Sequence, residues 1–167
     1  MPPDLWLLFA PIKKARTDFI VEKAAEMGAT SIFPVLTRFT NAERLRIDRL
    51  QAHAVEAAEQ CGGTYVPTVA EPQKLADVLD NWPDDRNLMF CDEGRTARPA
   101  IDVLRQKTGG KWAILIGPEG GFSEDEAERL RSMPQVVPVT LGPRILRADT
   151  AAVAALAVWQ SSLGDWV

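Results

Sequence analysis

A chain of 167 residues, 46% hydrophobic and 25% charged, is long enough for one globular domain with a substantial core. Its formal charge of −4 excludes a protein held on nucleic acid by bulk charge, and leaves that task to local basic patches. Two cysteines, Cys61 and Cys91, without CxxC spacing, and a single histidine, His53, argue against structural zinc and fit reduced thiols in a cytoplasmic protein.

In chain order, the first element is "LWLLFA" (Leu5–Ala10), an apolar strand. It is too short to span a bilayer, and acidic Asp4 precedes it where a leader would be basic. Arg16–Met27 places Phe19, Ile20, Lys23, Ala24 and Met27 at helical intervals, and Gly28 suits the helix end. Ser31–Thr37 is strand-like, with Pro34 marking an edge or an irregularity. Arg44–Gln60 is the longest helical pattern, stopped by Cys61–Gly63. "VPTV" is short and extended, and Gln73–Leu79 forms a small helix. Asn87–Cys91 is a compact buried strand, and Pro99–Lys107 a helix with proline in its first turn. "WAILIG" is the next strand, Ser123–Arg131 a helix, "VVPVTLG" a strand and Thr150–Leu163 an alanine-rich final helix. The alternation predicts a single α/β domain, 1–167, with a mostly parallel sheet and helices on both faces. The nearly continuous apolar runs agree, because strands covered on both faces lose the polar alternation.

Ligands of such sheets bind outside the carboxyl ends of the strands. "GPEGG", Gly117–Gly121, stands at one of those ends. Gly120 and Gly121 allow a ligand close to the backbone, and Pro118 stiffens the turn. The stretch is not a P-loop, which needs Gly-Lys-Ser/Thr, nor GxGxxG, nor the GxSxG elbow. Taken alone it is equally a tight strand-to-helix turn. Ser123 and Glu126 have capping-box spacing, which accounts for both without catalysis, whereas Glu119 has no such role. The next strand leads into a second unusual segment, "LGPRILRADT", with a Gly142-Pro143 turn and two arginines, Arg144 and Arg147, around Ile145 and Leu146. Asp149 or Thr150 suits the cap of the last helix. Arginines beside a turn at the sheet's carboxyl edge are surface charges or partners of an anionic or carbonyl-rich substrate.

"IGPEGGFSEDE" followed by "LGPRILRADTA" resembles the paired signature of the ribosomal RNA small subunit methyltransferase E family, within the SPOUT superfamily of knotted methyltransferases. "KKARTDFIVEKAAEMGATSIFPVLTRF" and "EAAEQCGGTYVP" agree, so the resemblance covers nearly the whole chain. It implies methylation of uridine at ring nitrogen 3 in small-subunit (16S) ribosomal RNA, S-adenosylmethionine as donor, a carboxyl-terminal trefoil knot and a homodimer. Family members usually begin with a small PUA-like RNA-binding domain. This sequence starts about where the catalytic domain would, and is expected to be that SPOUT domain without the amino-terminal one. It also has Gly63 at the position where the family usually carries an arginine.

The resemblance assigns the adenosyl group to three loops: the end of "NLMFC" at Cys91, Ile116–Gly121, and Leu141–Arg147. Cofactor-binding residues are then Cys91, Leu115, Ile116, Gly117, Gly120, Leu141, Gly142, Ile145 and Leu146. Ordinary core is the other reading of the apolar ones. The imide N–H of uracil is a poor nucleophile until its proton leaves, so a base or nearby cations should assist. Arg147, and after it Arg144, are expected to donate to the uracil carbonyls or a phosphate. Glu119 is expected to orient the loop or accept the proton, or is an exposed turn residue. No metal is required. Lys13, Arg16, Lys23 and Arg38 are candidate contacts to RNA phosphates, each being singly also a solvated charge. Glu26 is the i+3 neighbour that would pair with Lys23. The final helix, apolar almost all round, is expected in the knot and dimer interface or in the chain's own core. Two rival readings are a noncatalytic RNA- or ligand-binding domain that keeps the pocket, and an unrelated α/β enzyme that binds nucleotides such as ATP.

Overall fold

The computed structural model describes residues 1–41, 44–93 and 97–167. The described elements begin with β1 (Leu5–Phe9), α1 (Lys14–Glu26), β2 (Ser31–Leu36) and α2 (Ile47–Gln60). They continue with β3 (Thr68–Val69), β4 (Gln73–Lys74), α3 (Leu75–Asp80), β5 (Asn87–Cys91) and α4 (Ala100–Leu104). β6 (Trp112–Ile116), α5 (Glu124–Ser132), β7 (Val136–Val139) and α6 (Ala148–Leu163) complete them. All strand pairings are parallel, in the order β3-β2-β1-β6-β5-β7, with β4 also on β2. The expected α/β layered fold is the observed one.

Side-chain alternation along the central strands divides the core. Leu5, Leu7, Phe9, Trp112, Ile114 and Ile116 face one layer, which contains buried residues of α1, α2, α4 and α6. Leu8, Ala113, Leu115, Leu88 and Phe90 face the other, covered by α3 and α5 through Leu75, Leu79 and Leu130. Trp112 and Ile114 to Leu115 are wholly buried, which explains why β6 reads as an unbroken apolar run.

Pro34 marks an irregularity and not an edge. It stands opposite Phe9 in an interior strand, so the edge alternative fails. On the other side of β2, β3 pairs with Ser31 and Ile32, while β4 pairs with Val35 and Leu36. The gap falls at Phe33 and Pro34, where the missing N–H would leave a ladder position empty. The segment read as a helix from Gln73 therefore starts with a two-residue strand, and α3 follows at Leu75.

The last helix also begins earlier than its sequence suggests. Arg147 is its N-cap residue, so Asp149 and Thr150 lie inside the first turn; the Asp149 carboxylate accepts the Thr150 N–H at 3.1 Å. Asp149 still complements the helix dipole there. Ala148, Ala152, Ala155, Leu156 and Trp159 are buried where α6 packs on α1, α4 and β6. Its small residues permit that close approach. Gln160, fully buried, donates from Nε2 to Met27 O at 2.8 Å and accepts the Asp165 N–H at 3.0 Å. Gly28, with φ +93°, leaves room for this amide, since a Cβ there would lie 2.6 Å from Gln160 Nε2.

Candidate functional site

The adjacency of β6, β5 and β7 brings three loops to one place at the carboxyl edge of the sheet. They surround a hollow of about 440 Å³. Cys91–Glu93 after β5, Ile116–Phe122 after β6, and Thr140–Ala148 after β7 all line it. This is the place where parallel sheets bind ligands, and the volume lies within the usual range for small-molecule sites.

The glycines of the turn after β6 have separate reasons. Gly121 has φ +73°, a left-handed conformation that suits glycine. A Cβ on Gly117 would lie 2.8 Å from Phe122 Cε2, so a side chain there would displace the ring. Phe122 itself is fixed edge-on to Phe90, with centroids 5.4 Å apart. At Gly120 a Cβ would come within 3.3 Å of Phe39 Cβ. The turn leads directly into α5, whose capping box is complete: Ser123 Oγ accepts the Glu126 N–H at 3.2 Å, and Glu126 Oε1 accepts the Ser123 N–H at 2.9 Å.

Charges of both signs meet this hollow. Asp92, buried, receives both Nε and Nη2 of Arg131 at 2.8 Å, a bidentate pair that holds the end of β5 to α5. Asp92 raises the Arg131 guanidinium above its ordinary value, first by hydrogen bonding. Burial, and then the Glu93 carboxylate, push the Cys91 thiol up to about 12, so it lines the hollow as a neutral group. Arg144 and Arg147 are exposed on the rim, and among the described residues neither has an ion-pair partner.

Of the residues singled out from sequence, Cys91, Ile116, Gly117, Glu119, Gly120, Leu141, Gly142, Arg144, Ile145, Leu146 and Arg147 line the hollow. Leu115 does not. It sits one residue back from the end of β6 and is fully buried in the core beside α5, below the neighbours Phe90 and Phe122 that do reach the hollow. Lys13 and Arg16 begin α1 at the carboxyl edge, and Arg38 follows β2 at that edge. Lys23 lies nearly at the far end of α1, its Nζ held by Glu26 Oε2 at 2.8 Å, and it joins neither group. Gly63 follows α2 at the amino edge, where neighbouring Tyr65 donates to Thr30 O; it is remote from the hollow. Sequence reasoning missed Asp92, Phe122 and Arg131. The capping box could have placed Phe122 beside the glycine turn, but nothing local pairs Asp92 with a residue on another element.

Among the described residues, no helix is long and apolar enough to cross a membrane, and no cluster of His, Cys, Asp and Glu could hold a metal ion.

A family model described as an RNA methyltransferase domain matches residues 1–160. The ribosomal RNA small subunit methyltransferase E of Rickettsia conorii is 31% identical over 92% of this chain, which spans 62% of that relative's length. The chain thus corresponds to about three-fifths of such a curated relative. The crystal structure of a protein of the same name from Neisseria gonorrhoeae, bound to S-adenosyl methionine, superposes with a TM-score of 0.86 at 31% identity, covering 99% of this chain and 69% of the other. A Legionella pneumophila protein in complex with the bound cofactor SAM gives 0.84 at 30% identity, over 98% of this chain and 69% of the other.

Proposed function

The chain belongs to the family of RNA methyltransferase domains, within the ribosomal RNA small subunit methyltransferase E group, and on that premise we propose that it methylates uridine N3 in small-subunit (16S) ribosomal RNA with S-adenosylmethionine as donor. The observation that carries this reading is the convergence of both signature loops and the end of β5 on one hollow rimmed by two arginines without ion-pair partners among the described residues.

The hollow fits an adenosyl group. Ile116, Leu141, Leu146 and Ala151 give it apolar walls, while the glycine turns leave main-chain donors and acceptors accessible to a flat, neutral ring system. S-adenosylmethionine, when bound, supplies a methyl carbon made electrophilic by its sulfonium. The chain's own contribution is to position the uracil and to favour loss of its N3 proton. Arg147, fixed by its backbone at the N-cap of α6, and Arg144 donate to the uracil carbonyls and stabilise the charge that develops there. Glu119, exposed in the glycine turn, accepts the proton or orients the turn. Lys13, Arg16 and Arg38 hold RNA phosphates along the same edge.

A trefoil knot, a homodimer and a cytoplasmic setting complete the proposal. Thr140, leaving β7, bonds to the segment entering α4: its N–H donates to Arg98 O and its carbonyl accepts the Ala100 N–H, each at 2.9 Å, so the two segments lie side by side.

Calorimetry with S-adenosylmethionine, followed by transfer of its labelled methyl to small-subunit RNA, tests the reading. Arg147→Ala is expected to lower transfer on the order of 10²-fold while cofactor affinity stays within a few-fold, as for removal of one transition-state donor. Binding by the unaltered chain without any transfer would replace the enzyme with a noncatalytic binding domain.

A further inference from the structure

One rigid turn touches the hollow's rim without belonging to its three loops. After β2, Thr40 Oγ1 accepts the Thr37 N–H at 2.8 Å and lies 2.8 Å from Thr37 Oγ1, while the Thr40 N–H bonds back to Thr37 O. The turn is also fastened from outside. Glu126 Oε2 accepts the Arg38 N–H at 3.0 Å, while the other oxygen of that carboxylate completes the α5 capping box. Glu126 thereby ties residues 37–40 to the helix that follows the glycine turn.

That turn presents Phe39 beside Gly120, 47% exposed, with Arg38 next to it. Phe39 covers the Gly120 backbone with part of its surface and leaves about half of its area open on a braced turn. Guanidinium groups are at hand on this edge, beside the carboxylates of Glu93 and Glu119: Arg38 is exposed and has no ion-pair partner among the described residues, and Arg144 and Arg147 stand on the rim of the adjoining hollow. An exposed aromatic face with guanidinium groups on the same edge matches a single nucleic-acid strand, which offers planar bases and phosphates together.

We propose that Phe39 is a stacking platform for a nucleobase of the RNA beside the target uridine, with Arg38 holding the adjoining phosphate and Glu126 positioning both. This rests on the RNA reading of the hollow given above. The test uses the full chain and a short, fluorescein-labelled single-stranded RNA containing uridine. Anisotropy gives RNA affinity across a salt series, and calorimetry gives S-adenosylmethionine affinity separately. Phe39→Ala should weaken RNA binding by about tenfold at every salt concentration, leaving the salt slope unchanged, while Phe39→Tyr stays within about twofold. Arg38→Ala should instead flatten the slope by about 0.7. Cofactor affinity should hold in all three. Wild-type affinity for RNA in Phe39→Ala, or an equal loss of cofactor binding, overturns the platform while the RNA reading stands. An unaltered chain that takes the cofactor but no RNA overturns the RNA reading, and the platform with it.

Discussion

Cys91 ends β5 at the wall of the hollow, yet its environment makes it a poor nucleophile. Burial disfavours its thiolate, the Glu93 carboxylate adds repulsion, and the pKa rises from 9.0 to about 12. Cys61, by contrast, is exposed after α2. Iodoacetamide at neutral pH should therefore modify Cys61 and spare Cys91 in the folded chain, as read by peptide mass spectrometry; equal labelling of the two would refute the assigned environment. The same shift has a stability consequence. Below pH 9 the thiol is protonated in both folded and unfolded chains, so it contributes no pH dependence. Between 9.0 and about 12 the unfolded chain gives up a proton that the folded one keeps, and stability falls as pH rises through that window. Sequence could name Cys91 but not its protonation, which depends on what the fold stacks around it. Leu115 shows the same limit: the run "WAILIG" is legible as a strand, but how far its end reaches into the hollow is decided by the side chains, such as Phe90 and Phe122, that the fold stacks above it.

The capping box of α5 is the clearest element written in local sequence, because Ser-x-x-Glu satisfies the first helical N–H groups using only its own turn. Its second function was not legible there, since the Arg38 N–H that Glu126 also accepts comes from a residue 88 positions away. Ser123→Ala should cost about 1 kcal/mol and Glu126→Ala roughly 1–2 kcal/mol in urea unfolding. Only Glu126→Ala should also speed amide exchange at Arg38; equal exchange in both variants would mean that the turn after β2 is held by other bonds. β4 fails to show in sequence for a related reason. Its two residues become a strand by pairing with Val35 and Leu36 beyond the gap at Pro34, and no periodicity can be read from two residues. The start of α6 was misplaced because Asp149 and Thr150 are good cap formers, whereas the chain reaches helical geometry already after Arg147.

At the scale of the molecule, the hollow depends on strand order, which hydrophobic patterning does not encode. Alternating strands and helices establish the layered class, but they do not say that β5 lies between β6 and β7. The two signature segments, separated along the chain by α5 and β7, carried that information through resemblance and not through periodicity. Their meeting has a global consequence. A ligand gripped by loops after β5, β6 and β7 engages only the folded arrangement, so its binding must stabilise the whole domain. S-adenosylmethionine at a hundred times its dissociation constant should add about 2.7 kcal/mol, which for a domain of this size raises Tm by roughly 5–10 °C. Arg147→Ala should keep most of that rise, because its assigned partner is the uracil, whereas ATP at the same concentration should produce none. Protection by ATP without protection by S-adenosylmethionine would mean that the hollow holds a nucleotide, and the two rim arginines would then face its phosphates, not a nucleobase awaiting a methyl group.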